Sequence, residues 1–277
     1  MLRVEPKFIG SVSNGMPLLN TYFAAHLLPG LLLAFFIASG PLQADHSITL
    51  HSSKNRTALV ELYTSEGCSS CPPAEQWLQQ LIQIPSEELD ALVLEFHVDY
   101  WDYIGWKDRF GSAAYTARQR KLAHTNQQRT IYTPEFFVDG KEARGTRNVV
   151  KMIKQSNSTN SISRLQLTVK PDRQQLTLTL HSKQPVQPGS QIHFVVFQNK
   201  LSSDIKSGEN AGRKLHHQRV VRYFSPAFTA QPQLQHVIPV SADWDLQNLG
   251  VAALLNYSGG DYSQSVSGPL TFELSTH

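Results

Sequence analysis

The chain has 277 residues, of which 40% are hydrophobic and 17% charged, and its formal net charge is +3. These totals describe a globular protein able to bury a sizeable core, and exclude a disordered or fibrous chain. Lysine and arginine are scattered without a basic run, so no nucleic-acid partner is expected.

At the start of the chain, Arg3 and Lys7 precede an uncharged stretch from Leu27 to Ala38, LLPGLLLAFFIA. It has the length of a signal-peptide apolar region and falls short of the roughly 20 residues that cross a bilayer. Small residues follow at Ala38, Ser39, Gly40 and Ala44. Residues 1–44 therefore read as an export signal and 45–56 as a linker. The mature protein is expected to be exported, periplasmic or secreted, with no stable membrane insertion once the signal is removed.

TALVELYT, residues 57–64, is a run of apolar and β-branched residues suited to a buried strand. Ser65-Glu66-Gly67 is a turn. Cys68-Ser69-Ser70-Cys71 and Pro72-Pro73 then open a helical pattern to about Ile84, with Ala74, Trp77, Leu78, Leu81 and Ile82 on one face. Proline suits a first helical turn, where its missing N–H has no partner to lose. ALVLEFHV, residues 91–98, is a second buried strand, and the strand–helix–strand order predicts a parallel crossover. Residues 99–130 read as an insertion: an aromatic and acidic DYWDYIGWKDRF, then a polar stretch that suits a helix. YTPEFFVDGK supplies a strand at Phe136–Val138 and an Asp139-Gly140 hairpin turn. A helix over 146–155 completes a first domain spanning 57–155. SNSTNSIS, residues 156–163, is a polar linker by composition. From 164 to 277, short alternating strands separated by turn residues predict an antiparallel β-sandwich.

Cys68 and Cys71 are the chain's two cysteines. Two thiols at this spacing at a helix start suit thiol–disulfide exchange, because the N-terminal N–H groups and helix dipole favour thiolate. Cys68 is expected to be the accessible nucleophile, and Cys71, further into the helix and more covered, the resolving thiol. Two other readings stand beside this one. A purely structural disulfide would close a very small loop and add little stability. A metal such as copper would use both thiolates with His97, at the end of the next strand.

The motifs GCSSCPPAE, FHVDYWDYIGWKDRF, YTPEFFVDG and GENAGRKLHHQRVVR resemble an exported bacterial thioredoxin-like family of unknown function, within the thioredoxin/glutaredoxin superfamily. The resemblance implies an α/β thioredoxin-like domain followed by an all-β antiparallel sandwich-like domain. It implies that Pro134 is a cis residue facing the cysteines and that the backbone of Thr133 bonds an extended substrate. It also suggests Glu61 as the buried carboxylate that assists proton transfer. One departure is Gly67, where thioredoxins carry an aromatic residue. The function expected from these residues is thiol–disulfide exchange on a thiol- or disulfide-containing protein or small molecule. The alternative is a non-enzymatic binding protein for a metal or a protein partner. The exchange reading calls for no cofactor and no metal.

Tyr100, Trp101 and Trp106 are candidate substrate contacts from the insertion, with local packing as the competing role. His97, Asp99 and Asp102 offer imidazole and oxygen donors to a metal as a further possibility. GENAGR, residues 208–213, lacks the strand-then-helix context of a phosphate site. It is expected to form an interdomain turn held by Glu209 and Arg213.

Overall fold

A single mixed sheet runs through strands drawn from both halves of the sequence, and it positions everything that follows. The computed structural model describes residues 47–256 and 262–270. All of these belong to one unit of the chain, Ala44–His277. The export segment expected at 1–44 lies outside the described residues.

The first part of the sheet follows the apolar runs. Strands β1 (Ile48–His51) and β2 (Ala58–Thr64) come first, then helix α1 (Cys71–Ile82) and strand β3 (Ala91–His97). Strands β2 and β3 pair in parallel from Ala58↔Ala91 to Thr64↔His97. A 3-10 turn at Asp102–Ile104 and helix α2 (Ala113–Thr125) lie in the segment expected as an insertion. Strand β4 (Glu135–Val138) adds antiparallel to β2, and β5 (Lys141–Glu142) closes that edge. The β4–β5 turn uses Asp139 and Gly140, both at positive φ, as a two-residue hairpin turn requires. Helix α3 (Thr146–Asn157) follows.

The remaining strands do not make a separate fold. They are β6 (Leu165–Pro171), β7 (Gln175–Ser182), β8 (Gln191–Gln198), β9 (Leu201–Asp204), β10 (Lys214–His217) and β11 (Val220–Phe224). Next are β12 (Phe228–Thr229), β13 (Gln233–Pro239), β14 (Leu249–Asn256) and β15 (Tyr262–Pro269). The large sheet has the order β15-β14-β8-β11-β3-β2-β4-β5, with β12 also on β8. The join is β11, antiparallel to β8 and parallel to β3 through Val220↔Glu95. Strands β1, β6, β7 and β13 form a four-stranded antiparallel sheet, and β9 and β10 a two-stranded one.

This overturns the expected succession of an α/β thioredoxin-like domain and a β-sandwich. The protein is mostly β, with fifteen strands and three α-helices among the described residues, in mixed and antiparallel sheets. The physical reason is the edge of β3, whose side chains are apolar on one face and buried throughout. Left open, such an edge exposes a row of unpaired backbone groups. It is closed instead by β11 and by the Glu95 N–H donating to the Arg219 carbonyl at 3.0 Å. The stretch 156–163, polar as a linker would be, is tied to the sheet: the Asn157 amide donates to the carbonyls of Arg56 and Asp90, and Asn55 bridges Asn160. Ile48–His51, within the segment expected as a linker, is strand β1 paired to β6.

Side-chain alternation sends neighbouring residues to opposite faces. On one face, Val60, Leu62 and Val93 pack with Leu78 of α1 and Val149 and Ile153 of α3. Farther along that face, Phe194, Val196, Val251 and Leu255 pack against Leu167, Leu178 and Ile238 of the smaller sheet. On the other face, Tyr63, Phe96 and Phe137 join Val195, Phe197, Val221 and Leu254 in one core beneath Tyr115 and Leu122 of α2. The sheet is buried on both sides, which accounts for continuously apolar strands such as β2, β8 and β14.

Gly250 pairs with Phe197 across β14 and β8, and a Cβ there would lie 2.2 Å from the Phe197 ring. Gly250→Ala is therefore expected to destabilise by about 1–3 kcal/mol through overpacking. Phe197→Leu in the same chain should recover part of that loss, as read by equilibrium urea unfolding.

Candidate functional site

The end of β2 leads directly into the cysteine pair. Thr64 ends the strand, Ser65-Glu66-Gly67 turns, the Cys68 N–H donates to the Ser65 carbonyl, and the Cys71 N–H donates to that of Cys68. Cys71 is the first residue of α1, with proline in the first turn. The two sulfurs are joined, with Cα atoms 5.5 Å apart. Contrary to the expected accessible nucleophile, both cysteines are covered: Cys68 is 1% exposed and Cys71 is 0%. Ser69 and Ser70 between them are exposed.

Two segments provide the cover. From the region after β3, Trp101 and Ile104 pack against Gly67, where a Cβ would approach them at 3.1 and 3.3 Å. That contact occupies the space an aromatic side chain at position 67 would need. From the β9–β10 connection, the buried Asn210 amide donates to the carbonyls of Glu66 at 2.9 Å and Cys68 at 3.0 Å. The Ser69 N–H donates to Glu209 Oε2 at 3.0 Å, and the Ser69 hydroxyl together with that N–H holds the Glu209 carboxyl below its usual range. The two covering segments also meet, through Ser207 Oγ donating to the Gly105 carbonyl. Glu209 and Arg213 thus hold the GENAGR turn through Ser69 and Asn210, respectively, rather than through each other.

Beneath the cysteine loop lies a cluster of fully buried polar groups. Side chains at 95 and 97 of β3 face α1, as does Thr64 of β2. Glu75, one turn beyond Cys71, accepts from Thr64 Oγ1 at 2.5 Å and pairs with His217 Nδ1 at 3.0 Å. His217 Nε2 lies 3.2 Å from Glu66 Oε1, though outside good hydrogen-bond geometry. His97 Nδ1 bonds Asp108 Oδ2 at 2.7 Å. Asp108 in turn accepts from the N–H groups of Glu66 and Phe110. The His97 and His217 rings meet edge to face with centroids 5.0 Å apart, and Phe110 packs against both.

Burial and ion pairing act against each other here. Burial pushes the Glu75 carboxyl up, but the His217 bond and charge outweigh it and leave it below its ordinary value. Burial alone would lower His217, yet its contacts with Glu66 and Glu75 hold it well above the usual imidazole range. Burial raises Glu95 well above the carboxylate range, and neighbouring Glu75 adds to that rise. Asp108 is held low because the His97 charge and bond overcome its burial.

Of the residues singled out in the sequence, Thr133 and Pro134 stand at the head of β4, beside the end of β2, where Glu135 pairs with Tyr63. Their peptide bond is cis. Trp101 links the two regions, its Nε1 donating to Thr133 Oγ1 at 2.7 Å while it packs on Gly67. Trp106 donates to Glu66 Oε2 at 2.8 Å, and Tyr100 packs against the core beneath α2. These aromatics are engaged in packing and bonding rather than lining an open groove. Glu61 is not brought to the cysteines. It faces the opposite side of the sheet and pairs with Arg118 at 2.7 Å. Asp99 bonds Thr116, and Asp102 accepts from the Asp108 N–H, so neither joins His97 in a shared site. Two cavities lie elsewhere, one lined by Arg56, Asp139, Gln155 and Tyr262 and the other by Asn126, Tyr132, Glu142 and Arg144. Glu66, Glu75, Asn210 and His217 were missed as site residues. The signal available for His217 was its partner His216, an exposed neighbour in a strand whose alternation buries every second side chain.

The chain is a mixed-sheet, mostly β protein with a covered CxxC disulfide above a buried carboxylate–imidazole cluster. It belongs to the family described as a protein of unknown function, DUF1223, whose model matches residues 59–256. No curated protein matches it. Among solved structures, it is similar in fold to a protein from Agrobacterium tumefaciens, at 22% identity and a TM-score of 0.56, covering 82% of this chain and 100% of that one. It is also similar to HBP35 of Porphyromonas gingivalis, at 14% identity and a TM-score of 0.57, covering 82% and 81%.

Asn210→Ala would strip the partner from the Glu66 carbonyl, leave the Cys68 carbonyl with the Cys71 N–H, and loosen the cover. It is expected to cost about 1–3 kcal/mol of stability. It should also speed dithiothreitol reduction of the Cys68–Cys71 bond in the folded protein, as read by alkylation and mass.

Proposed function

We propose that the protein is a thiol–disulfide oxidoreductase acting outside the cytoplasm on protein or small-molecule thiols through Cys68 and Cys71. The observation that carries this reading is the joined cysteine pair at the N-terminus of a twelve-residue helix. There the unpaired N–H groups and the helix dipole stabilise the thiolate released when the disulfide opens. The local order of β2, cysteine pair, α1 and parallel β3, with Pro134 before β4, supports a distant tie to thioredoxin/glutaredoxin chemistry. The oxidising compartment fits a chain whose two cysteines are both committed to this bond.

In the oxidising direction a substrate thiolate attacks Cys68 Sγ, the bond to Cys71 breaks, and Cys71 leaves as a thiolate. A second substrate thiolate then attacks the mixed disulfide and releases Cys68. The substrate dithiol loses two electrons to the cysteine pair, and the reverse sequence reduces a substrate disulfide. Because both cysteines are covered, exchange requires the 207–213 turn to move away from the cysteine loop. The turn is held there by three hydrogen bonds, from Asn210 to Glu66 and Cys68 and from Ser69 to Glu209. With each bond worth about 1 kcal/mol net, local opening is cheaper than global unfolding.

Insulin reduction or glutathione-disulfide turnover tests this directly. Cys68→Ser should abolish turnover, while Cys71→Ser should accumulate a mixed disulfide visible as a mass adduct. Equal turnover by wild type and Cys68→Ser rules the exchange reading out.

A further inference from the structure

Three side chains of the buried cluster bring donor atoms close to one another. One ligand atom each from Glu75, His97 and His217 lies within 4.8 Å of the others. Tetrahedral donors bound to one ion at about 2.1 Å are about 3.4 Å apart, so the widest pair of the triad must close by more than about 1 Å to hold a metal. The three come from α1, β3 and β10, and all are fully buried.

Two further observations point to a ligand. His97 Nδ1 is committed to Asp108, which leaves Nε2 as the free ring nitrogen. That Nε2 is buried and has no hydrogen-bond partner among the described residues. A carboxylate on one imidazole nitrogen is the usual way a metal-ligating histidine is oriented through the other. Asp108 is itself fixed by two backbone N–H groups. Separately, the buried Glu95 carboxyl has no side-chain hydrogen-bond partner, and Glu95 sits two residues before His97 on the same face of β3. An unpaired buried ring nitrogen is costly, and a cation on the triad would satisfy it while its charge offsets the nearby Glu95 carboxyl.

We propose that Glu75, His97 and His217 bind a divalent first-row transition ion of the zinc class, with solvent or a small ligand completing its coordination. The donors are imidazole nitrogen and carboxylate oxygen, a set that suits zinc, iron(II), manganese(II) or cobalt(II), and it contains no thiolate to select copper(I). Such an ion would tie α1 to β3 and to the β9–β10 hairpin, whose connecting turn covers Cys68. Asp108 acts as a positioning residue through His97. The site does not depend on the exchange reading, because neither cysteine is a ligand.

The test is refolding of the full chain with Co²⁺ as the probe, followed by dialysis, metal analysis and a visible absorption spectrum. One Co²⁺ per chain is expected, with ligand-field bands and no sulfur-to-cobalt charge transfer. The Cys68→Ser/Cys71→Ser chain should bind equally, and His97→Gln should lose binding. Asp108→Asn should weaken it about 10–100-fold. If His97→Gln fails to fold, the wild-type stoichiometry and the Asp108→Asn chain carry the test. No retained Co²⁺ in wild type, unchanged affinity in Asp108→Asn, or loss of binding in the double cysteine variant would each overturn the proposal.

Discussion

The pairing of β11 with the outer edge of β3 is the contact on which the rest of the architecture depends. Through Val220↔Glu95 it converts what would be two sheets into one. It also fixes the position of the residues just before β11. Arg219, at positive φ, turns the chain from β10 into β11. The β9–β10 hairpin is thereby delivered to the α1 side of the sheet, with His217 facing Glu75 and Asn210 over the cysteine loop. Without that edge contact the cysteine loop would lack its cover and the buried cluster one of its two imidazoles.

The cluster is an unusual use of interior space. Burying ionised groups brings little net stability compared with apolar residues of the same volume, because desolvation cancels most of the attraction. Removing one partner is nevertheless severe, since the other is left as an uncompensated charge. Glu66, Glu75 and Asp108 with His97 and His217 therefore form a set of mutually dependent partners. Its value lies in holding three elements in one arrangement, with Phe110 keeping water from the imidazoles.

The cover on the disulfide and the cluster beneath it share residues. Glu66 supplies its carbonyl to Asn210 above and its carboxylate to Trp106 and His217 below. Movement of the 207–213 turn is thus linked through Glu66 to the buried groups. The aromatic residues after β3 take part in the same arrangement. Trp101 joins Gly67 to Thr133, and Trp106 joins Glu66 to the turn at Gly208. Their chemistry suggested a substrate groove, yet an aromatic side chain with a polar N–H serves equally well as a packed strut whose N–H is satisfied.

Much was determined by the sequence alone, because it rests on neighbours along the chain. The helix start at Cys71, the strands β2 and β3, the polar helix α2 and the Asp139-Gly140 turn follow from periodicity, proline placement and turn chemistry. The cysteine pair was legible for the same reason: its spacing is local. What only the tertiary structure decided involves partners far apart in sequence, such as Glu75 and His217, separated by 142 residues. Strand alternation placed Glu61 on the far side of the sheet from α1, although its sequence position beside the cysteine motif suggested otherwise. The register of β11 against β3 leaves no local trace, since an apolar strand fits a sandwich as well as a shared sheet. Backbone edges pair wherever folding brings them together, and that choice set the fold, the cover over Cys68 and the polar cluster beneath it.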